Sequence, residues 1–164
     1  MDKSLRFIGI DPSMRLNGLG MAMICDGMVH TTRYRSLAIF AKDVLSWSPD
    51  NCFVVVEDSS LQNITFRRHT NNVSKISRNV GMNQAASRFI IDWLAMHDFD
   101  VTGISPQDKG KKWLPEYGLK VMEGFGLKMS NKRWTQDEVD AFQLCLISKH
   151  RYEQRTKLRD VHFA

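Results

Sequence analysis

Acidic residues are missing from one long stretch of the chain. Between Ser59 and Ile91 there is no Asp or Glu, yet Arg67, Arg68, Lys75, Arg78 and Arg88 all fall there. A segment of that composition reads as a phosphate-binding surface. Cysteine is also scarce: Cys25, Cys52 and Cys145 are odd in number and far apart. That argues against a disulfide framework and against a thiolate metal site, and leaves buried reduced thiols as the expectation. The histidines show no ligand spacing either. No apolar run approaches the roughly 18 residues of a membrane span, so no membrane partner is expected. The start, Met1-Asp2-Lys3-Ser4-Leu5-Arg6, has no signal-peptide core, which makes a cytoplasmic address the expectation. Repeats, linkers and low-complexity blocks are absent. Residues 1–164 are therefore expected to form a single domain, with a basic C-terminal tail from about residue 151.

What is present is ordinary for a folded chain, with 43% hydrophobic and 25% charged residues. Lys and Arg number 23 against 18 Asp and Glu, a net charge of +5 that gives mild support to a polyanionic partner. Methionine is plentiful, with nine residues, and implies adaptable packing without naming a partner.

Phe7–Ile10 reads as a buried strand ending at Asp11, which Pro12 biases toward an extended conformation. Leu19–Cys25 and Met28–Tyr34 read as two more strands, joined by the hairpin signal Asp26-Gly27. Leu37, Phe40, Ala41, Val44 and Leu45 have helical spacing. Phe53–Val56 is a continuous apolar run ending in Glu57, as expected of a central strand covered on both faces. Ser59–Asn79 reads as a long polar loop. Ala85, Ala86, Phe89, Ile90, Trp93 and Leu94 form a helical stripe, with Phe89 and Trp93 expected in the core. Val101–Ser105 is a further strand. Residues 107–127 are helical in part and interrupted by Pro115, Gly118, Gly124 and Gly126, and a last helix runs from near Gln136 to about Tyr152. The order implies an α/β fold: a mixed β-sheet, a three-strand antiparallel meander plus parallel strands, flanked by helices.

Acids occupy three places suited to a site. Asp11 and Glu57 each end a strand, where ligand sites of α/β sheets lie. The third place is Thr135-Gln136-Asp137-Glu138-Val139-Asp140-Ala141. Thr135 and Glu138 match a capping box, which assigns Glu138 a structural task. Asp137 and Asp140 stand three apart on one helical face, about 5–6 Å between Cβ atoms. If Asp11, Glu57, Asp137 and Asp140 converge, their repulsion raises their pKa values unless a cation sits among them. Oxygen-only ligands select Mg²⁺ or Mn²⁺ over zinc, and two such ions balance four carboxylates. That is the pattern of a two-metal phosphodiester site. Taken singly, a strand-end Asp before Pro is usually a turn, and first-turn helix acids usually serve the helix dipole.

Here a family resemblance becomes specific. Ile8-Gly9-Ile10-Asp11-Pro12-Ser13, followed by Gly18 and Gly20, resembles the first strand of RuvC-type Holliday junction resolvases of the RNase H-like superfamily. Val54-Val55-Val56-Glu57 resembles their second acidic strand, and Asp137-Glu138-Val139-Asp140-Ala141 their terminal helix. Gly81–Ala86 and Ser105-Pro106-Gln107-Asp108-Lys109 sit where that family places a long helix and a strand–Pro–basic turn. The resemblance spans Phe7 to His150 and rests on the order and spacing of short motifs. It implies an RNase H-like fold, Mg²⁺-dependent nicking of four-way DNA junctions, and a homodimer in the cytoplasm of a bacterial or phage-infected cell. One departure stands out. Ser59, Ser60 and Leu61 follow the second acid where the family tends to carry an aromatic that opens the crossover, and the first aromatic here is Phe66.

Asp58 points away from Glu57 in a strand and reads as a turn or surface residue. Phe66, Arg67 and Arg68 read either as a base-stacking and phosphate-gripping element or as a solvated loop. Lys109, Lys111 and Lys112 read as backbone contacts near the scissile phosphate or as a solvated face. Two other functions share the fold: a ribonuclease H acting on RNA–DNA hybrid, and a non-catalytic DNA-binding protein. An actin-like ATPase needs a second phosphate loop and domain, for which the chain is too short. If Arg67 and Arg68 touch DNA backbone, replacing both with Ala flattens the log–log salt dependence of binding by about 0.7–0.9 per lost phosphate contact. An unchanged affinity and slope in a salt titration would make the loop merely solvated.

Overall fold

The computed structural model describes residues 4–12, 18–62, 73–129 and 134–162. Phe66, Arg67 and Arg68 lie outside them. Strands β1 (Arg6–Asp11), β2 (Leu19–Cys25) and β3 (Met28–Tyr34) form an antiparallel meander. After helix α1 (Leu37–Val44), strand β4 (Cys52–Glu57) pairs parallel with β1. Helix α2 (Val73–Met96) leads to β5 (Asp100–Ile104), parallel to β4. Helix α3 (Pro115–Gly124), the short β6 (Lys128–Met129) and helix α4 (Gln136–His162) complete the chain. The sheet order is β5-β4-β1-β2-β3-β6. This is the mixed sheet, an antiparallel meander plus parallel strands flanked by helices, that the sequence led us to expect.

Strand alternation divides the core into two layers. Ile8, Ile10, Val54 and Val56 pack on one face with Phe40 of α1 and with Ile90 and Leu94 of α2. Phe7, Ala22, Ile24 and Val29 pack on the other with Val139, Phe142 and Cys145 of α4. Both faces are therefore covered, which is why β1 and β4 read as continuous apolar runs. Ser87 and Ser148 let helices meet strand ends without orphaned carbonyls: Ser87 Oγ donates to the Glu57 carbonyl at 2.9 Å and Ser148 Oγ to the Phe53 carbonyl at 2.6 Å. Cys145 Sγ donates to the Phe7 carbonyl at 2.7 Å. Cys52 and Cys145 are buried free thiols as expected, while Cys25 is partly exposed. No helix among the described residues is long and apolar enough to cross a membrane.

Several elements differ from the sequence reading. Only Ser59–Leu61 of the expected loop is a short 3-10 turn before the undescribed residues, and α2 already begins at Val73, so it carries Lys75 and the exposed Arg78. Ser, Asn and Gly make residues 73–81 poor helix formers. They extend a helix already nucleated by its packed C-terminal half, so each adds a hydrogen bond without a new nucleus. The same economy carries α4 through the expected basic tail to His162. There Lys149 pairs with Glu153 one turn on, and Arg155 reaches Asp100 of β5 at 2.8 Å. Pro115 starts α3 rather than breaking it, at a position where its missing N–H costs nothing.

Phe89 is 50% exposed, against expectation. The core face of α2 is Ala86, Ile90 and Leu94, and one residue's step rotates Phe89 about 100° away. Met82, Phe89 and Met96 instead form an outward stripe at heptad spacing. Asp58 is also not a surface residue. It is buried and its Oδ1 accepts from the Ser60 amide at 2.9 Å and hydroxyl at 2.6 Å, which holds the 3-10 turn.

Gly9 decides how deep α4 sits. A Cβ there would lie 2.0 Å from the Ala141 carbonyl oxygen and 2.3 Å from the Cys145 nitrogen, both backbone atoms that cannot swing aside. Gly9→Ala should therefore lift α4 off β1 and lower the melting temperature by about 6 °C or more, as overpacking of about 3 kcal/mol implies. A melt within about 2 °C of wild type would show that the helix has room to spare.

Candidate active site

Four acids are gathered by the register of two strands and the seating of one helix. In the parallel β1–β4 pair Ile10 lies opposite Val56, so Asp11 and Glu57 emerge side by side at the carboxyl ends. Both share strand parity with Phe7 and Phe53, the face that α4 covers. Gly20 of β2 brings in the helix start: a Cβ there would come within 2.6 Å of the Asp137 carbonyl oxygen. The first turns of α4 thus deliver Asp137 and Asp140 over the strand ends.

The turn that starts α4 is tied down as its sequence implies. The Thr135 amide donates to Glu138 Oε2 at 2.7 Å. The Thr135 hydroxyl donates to the same oxygen at 2.8 Å, so half of the capping box forms and Thr135 gives rather than receives. Thr31 Oγ donates to Glu138 Oε1 at 2.9 Å, locking the helix start to β3. Glu138 is structural, as expected.

Lys109 enters this cluster. Its ammonium lies 2.5 Å from Glu57 Oε2 and 3.8 Å from Asp140 Oδ1, with its side chain only 10% exposed. It is neither a solvated lysine nor poised over open surface. Burial pulls its pKa down, but Glu57, then Asp11 and Asp140, outweigh that and raise it, so it stays charged. Lys112, largely exposed, stands 3.7 Å from Asp140 Oδ2. Lys111 is exposed, and its carbonyl accepts from Gln143 at 3.1 Å.

Asp11 shows the strain on this charge balance. Burial first, then Glu57, Asp140 and Asp137 raise its pKa to about 7, against the lowering pull of Lys109. Among the described residues, the cations near Asp11 do not offset its burial and the three other acids. Among the described residues no three His, Cys, Asp or Glu side chains stand close enough together to hold a metal ion as placed. Lys109 stands between Glu57 and Asp140 instead.

No family model matches the sequence, and no curated protein does. Among solved structures, the chain is similar to T. thermophilus RuvC in complex with Holliday junction substrate. The TM-score is 0.49 at 15% identity, over 87% of this chain and 90% of that one. No residue role is carried over from it.

Two polar partners of the acids escaped the sequence reading. Arg33 Nη2 lies 3.2 Å from Asp137 Oδ2, and Gln136 Nε2 donates to Asp140 Oδ1 at 3.1 Å and to the Trp113 carbonyl at 2.8 Å. Arg33 had a signal: it shares strand parity with Val29 and Thr31, which face α4. Gln136 had one for Asp140, four residues on in the same helix, and none for Trp113, whose carbonyl arrives from a distant loop.

The raised Asp11 pKa has a consequence for stability. Between about pH 4 and 7 the folded chain keeps a proton that the unfolded chain has lost, so stability falls as pH rises through that window. Above it the cost is full. In metal-free buffer, Asp11→Asn should therefore melt higher than wild type at pH 8, by an amount on the order of a few kcal/mol, with the gap closing toward pH 4. Equal melting curves at pH 8 would mean that Asp11 ionises freely.

Proposed function

We propose that this chain is a metal-dependent endonuclease that resolves four-way and related branched DNA by phosphodiester hydrolysis, acting as a homodimer that makes paired nicks. The observation that supports it is the crowding of Asp11, Glu57, Asp137 and Asp140 at one end of the sheet, where the cations among the described residues, Lys109, Lys112 and Arg33, are fewer than the acids. Their donors are all oxygen, which fits Mg²⁺ or Mn²⁺ and not zinc. These four residues would hold one or two such ions. Bound there, Mg²⁺ lowers the pKa of an attacking water and offsets charge on the leaving 3′ oxygen.

The chain's own side chains do the positioning. Lys109 keeps Glu57 and Asp140 together and offsets their charge, and Arg33 does the same for Asp137. Lys111 and Lys112, exposed beside the acids, supply cations for the flanking phosphates. Acids facing DNA would repel it without a cation among them, which favours a catalytic site over a purely binding one. The order of motifs along the chain favours branched DNA over an RNA–DNA hybrid. The dimer reading draws on the substrate's two-fold symmetry and on the outward stripe of Met82, Phe89 and Met96, apolar surface on α2 beyond the core's needs.

A synthetic four-way junction tests the proposal. Cutting should require Mg²⁺ or Mn²⁺, and Ca²⁺ should support binding alone, because its looser geometry misplaces the water. Asp11→Asn should lower the rate by more than the roughly 10–100-fold that outer partners of metal ligands contribute. On a plasmid that extrudes a cruciform, linear product should precede nicked circles. Full activity in excess chelator, or a preference for linear RNA–DNA hybrid, would sink the reading.

A further inference from the structure

A groove of about 700 Å³ runs between α3 and α4 and reaches back to the acidic cluster through Lys109. Its size falls within the roughly 300–1,000 Å³ of ligand sites. Asp140, Gln143, Ile147 and His150 recur on one face of α4, so the groove follows the helix away from the carboxylates for about 15 Å. Aromatic rings line it. Tyr117 is 53% and Phe125 60% exposed, unusual for side chains of that size. Trp113 stands edge-on to Tyr117, with ring centroids 5.4 Å apart. Basic groups stand at both ends: Lys109 at the carboxylates, His150 and Arg151 at the far end. No lining residue is acidic.

Gln143 makes the junction between groove and site. Its side chain is 95% buried, and its Nε2 donates to the Lys109 carbonyl at 2.7 Å and the Lys111 carbonyl at 3.1 Å. That fixes the turn from which Lys109 enters the cluster. Its Oε1 has no donor among the described residues.

We propose that this groove is a single-strand subsite: it takes a short unpaired run of nucleic acid continuing from the strand at the carboxylates. Bases lie against Trp113, Tyr117 and Phe125, and phosphates against His150 and Arg151. Rings with open faces beside spaced cations are how sequence-tolerant single-strand sites are built. An amphipathic protein helix would fill the apolar part, but it would leave Arg151 at the far end without a partner. The subsite deepens the nuclease reading, on which the origin of the bound strand rests. It also bears on the missing aromatic after Glu57, because rings here could hold bases already freed from pairing.

The test is equilibrium binding of a short oligothymidylate in chelator, read by anisotropy and by quenching of tryptophan fluorescence. Tyr117→Ala and Phe125→Ala should each weaken binding about tenfold, in line with stacking on a single ring. Tyr117→Phe, which keeps the ring, should bind as wild type, and thermal melts check that each variant folds. Arg151→Ala should flatten the salt dependence by about 0.7. No binding by wild type, or binding indifferent to both Ala variants, overturns the subsite and turns the groove over to a protein segment. Junction cutting by wild type is measured alongside. Cutting with ring-indifferent binding removes the subsite and leaves the nuclease. Ring-dependent binding without cutting does the reverse.

Discussion

The carboxyl end of the sheet depends on how closely α4 approaches the strands beneath it. Gly9 and Gly20 leave no Cβ where the helix backbone passes, so Ala141, Cys145 and Asp137 rest almost on β1 and β2. With ordinary side chains there, the helix would ride higher and its acids would overhang the strand ends. The close seat also explains the polar locks around it. Thr31 and Thr135 hold Glu138, and the Cys145 thiol meets the Phe7 carbonyl, because polar groups covered by a helix this near a sheet lose access to water and need partners.

That seat concentrates negative charge. Glu57 and Asp140 are nearly buried, Asp11 is walled in, and among the described residues the cations that reach them are one buried lysine, one surface lysine and, on Asp137, one arginine. Buried ion pairs of this kind cost desolvation and are weak evidence of stability. Their presence at the mouth of the sheet is better explained by what the cluster does than by what it contributes to folding. Lys109 ties this cluster to the groove, since its carbonyl is held by Gln143 while its ammonium serves Glu57. The acidic cluster and the groove are then coupled through a single turn.

The two faces of α2 and α4 illustrate a division of labour. On α2, Ile90 and Leu94 serve the core while Met82, Phe89 and Met96 face outward. On α4, Val139 and Phe142 are buried while the partly exposed Leu146 and Ile147 border the groove. In each helix one apolar stripe builds the fold, and the adjoining one is left for contacts beyond it.

The amino-acid sequence by itself determined the five longer strands, the hairpin at Asp26-Gly27 and the start of the terminal helix, and it singled out the four acids, because strand-end and helix-start positions carry local signals. It also determined Glu138 as a cap. Tertiary structure alone decided the rest. Helix α2 begins at Val73 and α4 runs to His162 because packing elsewhere on each helix supports poor or polar stretches that read locally as loop and tail. Phe89 faces outward because the rotation of α2 is set by the sheet it covers and not by its own apolar content. Lys109 and Arg33 meet the acids from a loop and a strand remote in sequence, and strand parity turns Arg33 toward α4 without encoding which acid it meets. The groove, likewise, exists only once α3 and α4 lie side by side.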